Sequence, residues 1–184
     1  MGPAYRTGRE GQGEGGYITK GGFMDQMKGK ELSVERQREI LVERNALKFT
    51  ELYMALVQAY GEKEGARIYE EVYELRFKKG SSQAQGRKLE DIIKAELSIF
   101  PALGWKLWAE KKVEDGEEVW YEHLEHCPYW TATKKHKFPD PCKILCDMDS
   151  RFGEKYKLGL WKLMKHMPSG DSECCFKIKP FKDK

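Results

Sequence analysis

Five cysteines, all beyond residue 126, carry the most reactive chemistry in this sequence. Cys127, Cys142, Cys146, Cys174 and Cys175 follow the pattern C-P-x12-P-C-x3-C-x27-C-C. Thiolates are both soft metal ligands and nucleophiles, so several uses compete. Cys127, Cys142, Cys146 and Cys174 could complete a tetrahedral shell for zinc or hold an iron–sulfur cluster. A thiol could instead attack an electrophilic carbon or line a ligand pocket. Free cysteines are also commonly buried as small apolar groups. The paired C-x2-C knuckles of common zinc sites are missing, and an odd number of cysteines argues against a disulfide framework. Spacing alone leaves metal binding, thiol chemistry and plain burial open.

Other polar groups fall near these thiols. Asp149 lies three residues after Cys146, on the same face if the segment is helical. A carboxylate one turn from a thiol can act as acid or base, or orient a substrate amine. The plainer reading is a solvated charge or a helix cap. Asp147 falls on a different face. His126 abuts Cys127, but neighbouring strand residues point to opposite faces, so the two need not touch. His136 and His166 sit in charged surroundings and read as surface residues. Trp105, Trp108, Trp120, Tyr121, Tyr129 and Trp130 concentrate on or near one stretch. Most read as core, while some, Trp130 among them, could line a pocket for a small flat ligand.

The elements that must position these residues follow from periodicity. Ile40, Leu41, Ala46, Leu47, Phe49, Leu52, Tyr53, Leu56, Val57 and Tyr60 recur at three- and four-residue steps. They predict a long helix from Ser33, its N-cap, to Gly61. A second helix is expected from Glu62 to Lys79, ended by Gly80, with a loop over 80–86. A third carries Leu89, Ile92, Ile93, Leu97 and Phe100 and stops at Pro101 and Gly104. The period then changes to two. Residues 105–113 and 118–126 alternate around Asp115-Gly116 and predict a β-hairpin. Residues 129–141 read as a loop, 142–166 as a helix interrupted by Gly153 and Gly159, and Cys174–Lys179 as a last strand. The expected fold class is α+β: N-terminal helices on a small antiparallel sheet, with a cysteine-bearing helix between the second and last strands. Domain limits are set at 1–30 for a flexible Gly-rich arm and 31–184 for a single domain. Within that domain, 31–103 is the helical part and 104–184 the sheet and Cys-rich part. An arm of this composition would need something to lie on if ordered, so a protein partner is expected for it.

Composition narrows the classes. The chain has 184 residues, 40% hydrophobic and 34% charged, which is enough for one ordinary core. A net charge of +3, with acids and bases interleaved, gives no footprint for nucleic acid. No apolar run is long enough to span a membrane, and the N-terminus carries no secretory-type apolar stretch. The expected location is the cytoplasm, where the cysteines would be reduced.

The C-terminal string Gly170-Asp171-Ser172-Glu173-Cys174-Cys175-Phe176 resembles the G-D-x-x-C-x-F ending of two related groups. One is the L-2-amino-thiazoline-4-carboxylic acid hydrolase-like family. The other comprises the small-molecule-binding domains named after 4-vinyl reductase. Cys146-Asp147-Met148-Asp149 resembles the C-x-x-D step of the hydrolase-like family, and Cys127-Pro128 the C-P that ends its second strand. Tyr60-Gly61-Glu62 and Gly65-Ala66 resemble its helical part, so the likeness covers roughly residues 33–180. Cys142, Cys175 and the N-terminal arm lie outside the pattern. The resemblance implies a small-molecule ligand and, in the hydrolase-like case, opening of a thiazoline ring to N-carbamoyl-L-cysteine. It would make Cys146 the nucleophile or a ligand and Asp149 the acid/base. Cys174 would be a pocket residue, and Lys143 or Arg151 would hold a substrate carboxylate. Family membership does not by itself establish catalysis. Three expectations therefore stand side by side: a hydrolase of small cyclic C–N/C–S compounds, a four-cysteine zinc or iron–sulfur protein, and a binding domain without catalysis.

Overall fold

The apolar stripes form helices where their spacing predicts, and the structure, a computed structural model, describes them over residues 31–181. The Gly-rich arm, with the partner expected for it, lies outside the described residues. Helix α1 spans Val34–Tyr60 and α2 spans Glu62–Ala84. Gly61, at φ +83°, makes the turn between them. Gly65 lets the two helices meet, because a Cβ there would stand 2.6 Å from the backbone nitrogen of Val57. α2 does not stop at Lys79 as expected. It runs through Gly80 to Ala84, and only Gly86, at φ +77°, breaks it. An isolated glycine lowers helix propensity by about 1 kcal/mol, too little to end a helix of this length. Helix α3, Leu89–Ile99, runs into a short 3-10 turn at Phe100–Leu103.

Strands β1, Lys106–Glu114, and β2, Glu117–His126, form the predicted hairpin. Asp115 and Gly116 both take positive φ, 52° and 79°, the conformation that matches the twist of a two-residue hairpin. The chain then departs from expectation. Residues 129–141 are not all loop, because Pro128–His136 is helix α4. Pro128 fits its first turn, and the Cys127 thiol takes the capping role usual for Ser or Asp, accepting the Trp130 N–H at 3.5 Å. A sulfur cap and the short apolar repeat hid this helix.

The expected helix over 142–166 is also corrected. Helix α5 covers only Cys146–Lys155, and Leu160–Lys165 is strand β3. Gly153 and Gly159 explain the change: a Cβ on either would meet the Trp161 ring at 2.6 Å and 2.9 Å respectively. The two glycines are the bed of that indole, and Lys157, at φ 59°, turns the chain between helix and strand. Strand β4, Cys174–Lys179, inserts between β2 and β3. The sheet is antiparallel throughout, in order β1-β2-β4-β3. The class is α+β, with a fourth strand that was not anticipated.

Packing follows the strand alternation. Trp120 of β2 pairs with Ile178 of β4 and Ile178 with Trp161 of β3. These residues pack with Leu89 and Ile93 of α3. A second cluster joins Tyr69 of α2 to Ile144, Leu145, Met148 and Phe152 at α5, with Phe49 and Tyr73 alongside. No described helix is long and apolar enough to cross a membrane.

The two α2 glycines should respond oppositely to alanine. Gly80 has open space around its Cβ position, so Gly80→Ala should stabilise by about 0.5–1 kcal/mol. Gly65→Ala should destabilise by about 1–3 kcal/mol, since backbone rather than a side chain must yield. Urea unfolding of both variants checks this, and a stabilised Gly65→Ala would contradict the close α1–α2 contact.

Candidate active site

Register places an ionisable group on the sheet face that meets α3. Glu122 is two residues from Trp120 on β2, opposite Phe176, and so shares the core-facing side. It is 5% exposed, and its Oε1 finds no hydrogen-bond partner among the described residues. Glu96, one turn after Ile93 on α3, is half-buried and has an equally unpartnered Oε2. Burial pushes the Glu122 carboxyl up to about 7. Burial, then repulsion from Glu122 and Asp149, pushes Glu96 up to about 8. The sequence hides this pair because Glu122 looks like one of many strand acids.

Asp149 on α5 belongs to the same neighbourhood. Tyr73 of α2 donates its hydroxyl to Asp149 Oδ1 at 2.9 Å. Asp149 is exposed as a residue, while Tyr69, Tyr73, Tyr129, Arg76 and Glu96 all interact electrostatically with it. Poor hydration within that ring raises the carboxyl to about 6, against the opposing effects of the Tyr73 hydrogen bond and the Arg76 charge. Tyr69 stacks on Tyr73 at 6.1 Å and Tyr73 on Phe152 at 6.3 Å. Tyr129 meets Trp105 edge-on at 4.8 Å. An outer cleft of about 320 Å³, with Phe49, Tyr73, Lys48 and Arg76 in its wall, lies over this ring.

Cys146 is the first residue of α5, one turn before Asp149. It lines a second cleft of about 300 Å³ together with Asp140, Cys142, Lys143 and His166. Its thiol contacts that of Cys142, and this contact with burial drives the Cys142 thiol far above its ordinary value. Cys127 and Cys174 are each 7% exposed. Burial raises Cys127 to about 11, with smaller contributions from Cys142 and Cys174. Cys174 is raised chiefly by burial, and its sulfur accepts the Met167 N–H at 3.4 Å.

A family model for L-2-amino-thiazoline-4-carboxylic acid hydrolase matches residues 39–178, well over half of the chain. The chain belongs to this family. No curated protein and no solved structure matches it. The family segment contains every group described above, from Lys48 to Phe176.

Within this hydrolase-family segment the sequence-derived candidates separate into places. Asp149 and Cys146 share α5. Lys143 is exposed at the rim of the thiol cleft. Arg151 is held by Glu70 at 2.6 Å and by Asp147 at 3.4 Å. Trp130 is half-buried on α4, with Lys134 over its ring at 5.8 Å. Of the four candidate metal thiols, only Cys142 belongs to the group of potential ligands whose donor atoms lie within 4.8 Å of one another, beside Asp140 and His166. His166, expected at the surface, is half-buried in the cleft. The fifth thiol, Cys175, lies on the other sheet face, 4.0 Å from His123 Nε2.

The two glutamates tie stability to pH. Both hold protons more tightly folded than unfolded, so the folded chain carries more protons between about pH 4.5 and 8. Stability should therefore fall as pH rises through that window. Glu122→Gln should remove much of the slope and stabilise the protein at pH 8 by about 2 kcal/mol. Thermal unfolding from pH 5 to 8 measures it. An unchanged slope in Glu122→Gln would rule out a protonated buried carboxyl there.

Proposed function

We propose that this hydrolase-family protein opens a small cyclic amidine, of the 2-aminothiazoline carboxylate type, with Asp149 as general base and then general acid. The observation that carries the reading is Asp149 itself. Its carboxyl is raised to about 6 and oriented by the Tyr73 hydroxyl at 2.9 Å, one helical turn from a thiol. A base near neutrality can both take and return a proton, the condition for efficient acid–base catalysis at physiological pH.

The chemistry would run through water. Water oxygen bonds to the ring carbon between sulfur and nitrogen as Asp149 takes one of its protons. The tetrahedral centre collapses with cleavage of the carbon–sulfur bond, its hydroxyl proton passing to solvent as the carbonyl forms, and Asp149 returns the first proton to the leaving sulfur. The product is a carbamoyl amino thiol, N-carbamoyl-cysteine for the carboxylated thiazoline. Such a substrate carries an amidinium at one end and a carboxylate at the other. Glu96 and Glu122, with an unpartnered oxygen each, suit the amidinium. Arg76, close enough to act on Asp149, suits the carboxylate. Cys146 would line the ring sulfur's side.

Freshly reduced protein incubated with 2-aminothiazoline-4-carboxylate should release a free thiol, followed with a thiol reagent and mass spectrometry. kcat/KM should fall on the acid side with an apparent pKa of about 6. Asp149→Asn should lower kcat by about 10²–10⁴-fold. Tyr73→Phe should move the acid limb to higher pH, because the hydroxyl now holds the carboxyl down. No turnover by the wild type, or full activity in Asp149→Asn, would sink the proposal. Amidine binding without turnover would leave a binding domain in its place.

A further inference from the structure

The thiol cleft contains a donor set distinct from the four cysteines. Oxygen of Asp140, sulfur of Cys142 and nitrogen of His166 lie within 4.8 Å of one another. Two of the three donors are already oriented by their own support. Asp140 Oδ1 accepts the Cys142 N–H at 2.9 Å, fixing the carboxylate over the short turn Pro141–Lys143. The His166 backbone N–H donates to Asp171 Oδ2 at 2.7 Å, and its Nδ1 lies 2.8 Å from Ser169 Oγ. With the proton on Nδ1 and directed at Ser169, Nε2 presents a lone pair. That Nε2 is buried and has no hydrogen-bond partner among the described residues. A buried imidazole nitrogen without a partner costs stability unless something accepts its lone pair.

We infer that Asp140, Cys142 and His166 bind one divalent zinc-class metal ion, with a fourth position open to the cleft. The chemistry of the donors selects the ion. One sulfur, one imidazole nitrogen and one carboxylate oxygen suit zinc, whereas calcium and magnesium require oxygen shells. In a tetrahedral zinc site such donors stand about 3.3–3.8 Å apart, so the trio needs to close by roughly 1 Å. The turn at Pro141–Lys143 and the segment after β3 are where that adjustment would fall. The second-sphere contact from Nδ1 to Ser169 is of the kind that sets the tautomer of metal-bound histidines. Cys146 touches Cys142 but stands outside the trio, so the remaining position faces the 300 Å³ cleft. Three protein ligands and an open position are the arrangement of zinc sites that bind a further ligand. Lys143 and Asp147 line the same cleft, one cationic and one anionic. This site stands independently of the Asp149 chemistry and its test needs no substrate.

Cobalt substitution tests the assignment. The full-length protein, reduced and stripped with a chelator under anaerobic conditions, is titrated with Co2+ and then with Zn2+. One equivalent of cobalt should give a thiolate-to-cobalt charge-transfer band that zinc abolishes. Cys142→Ser should lose the band. His166→Gln should weaken cobalt binding at least tenfold while circular dichroism stays unchanged. Cys127→Ser and Cys174→Ser should leave both band and affinity intact. Absence of the band in the wild type overturns the inference. So does loss of the band in Cys127→Ser or Cys174→Ser with Cys142→Ser and His166→Gln unaffected, which would favour a sulfur-only site. If Cys142→Ser does not fold, His166→Gln and Asp140→Asn decide the matter through affinity alone.

Discussion

Glu96, Glu122 and Asp149 share one region between α3, α5 and the sheet, and protein surroundings cannot hydrate three negative charges together. Glu96 and Glu122 therefore hold protons that ordinary acids would have released. The arrangement costs stability as pH rises, and nothing in the packing of Trp120, Ile178 and Ile93 requires it. Acid groups kept at such a cost, each with an oxygen lacking a partner among the described residues, are what a cationic substrate would compensate. The aromatic ring around Asp149 is part of the same device. Tyr73 supplies one hydrogen bond to the carboxylate, and Tyr69 and Tyr129 lie close enough to act on its charge.

The scaffold brings this about through a few close approaches. Gly65 lets α1 and α2 meet, which sets Tyr69 and Tyr73 facing the core. The α2 face then receives α5 through Phe152 and Met148, and Asp149 arrives beside Tyr73 from 76 residues further along the chain. Trp161 lies on Gly153 and Gly159, locking the turn from α5 into β3. Each contact joins a small residue to a large one, so the position of the site depends on glycines that carry no chemistry themselves. The thiol cleft opens on the other end of the same helix, where α5 begins at Cys146.

How far local pattern reached can be read from particular segments. The three N-terminal helices and the hairpin follow from periodicity and from Asp115-Gly116, because those signals come from neighbouring residues. Helix α4 escaped because a cysteine caps it and two prolines follow shortly after. Strand β3 escaped because it lies beside β4, and its pairing partners were invisible to any local window. Asp149 stood out through its spacing from Cys146. Glu122 did not, since its burial comes from α3 crossing over the strand. His166 read as a surface residue for the same reason, and its place beside Asp140 and Cys142 exists only after the chain has folded back.

Sequence alone determined the class of fold, the family, the one-turn spacing of Cys146 and Asp149, and the hairpin that carries the chain to Cys127. All of these rest on short-range backbone preferences and on residue types. Tertiary structure decided which acids keep their protons, which thiols touch, and which histidine joins them. Those properties depend on desolvation and on distances between groups brought together from separate elements, and neither is encoded in any one stretch of chain.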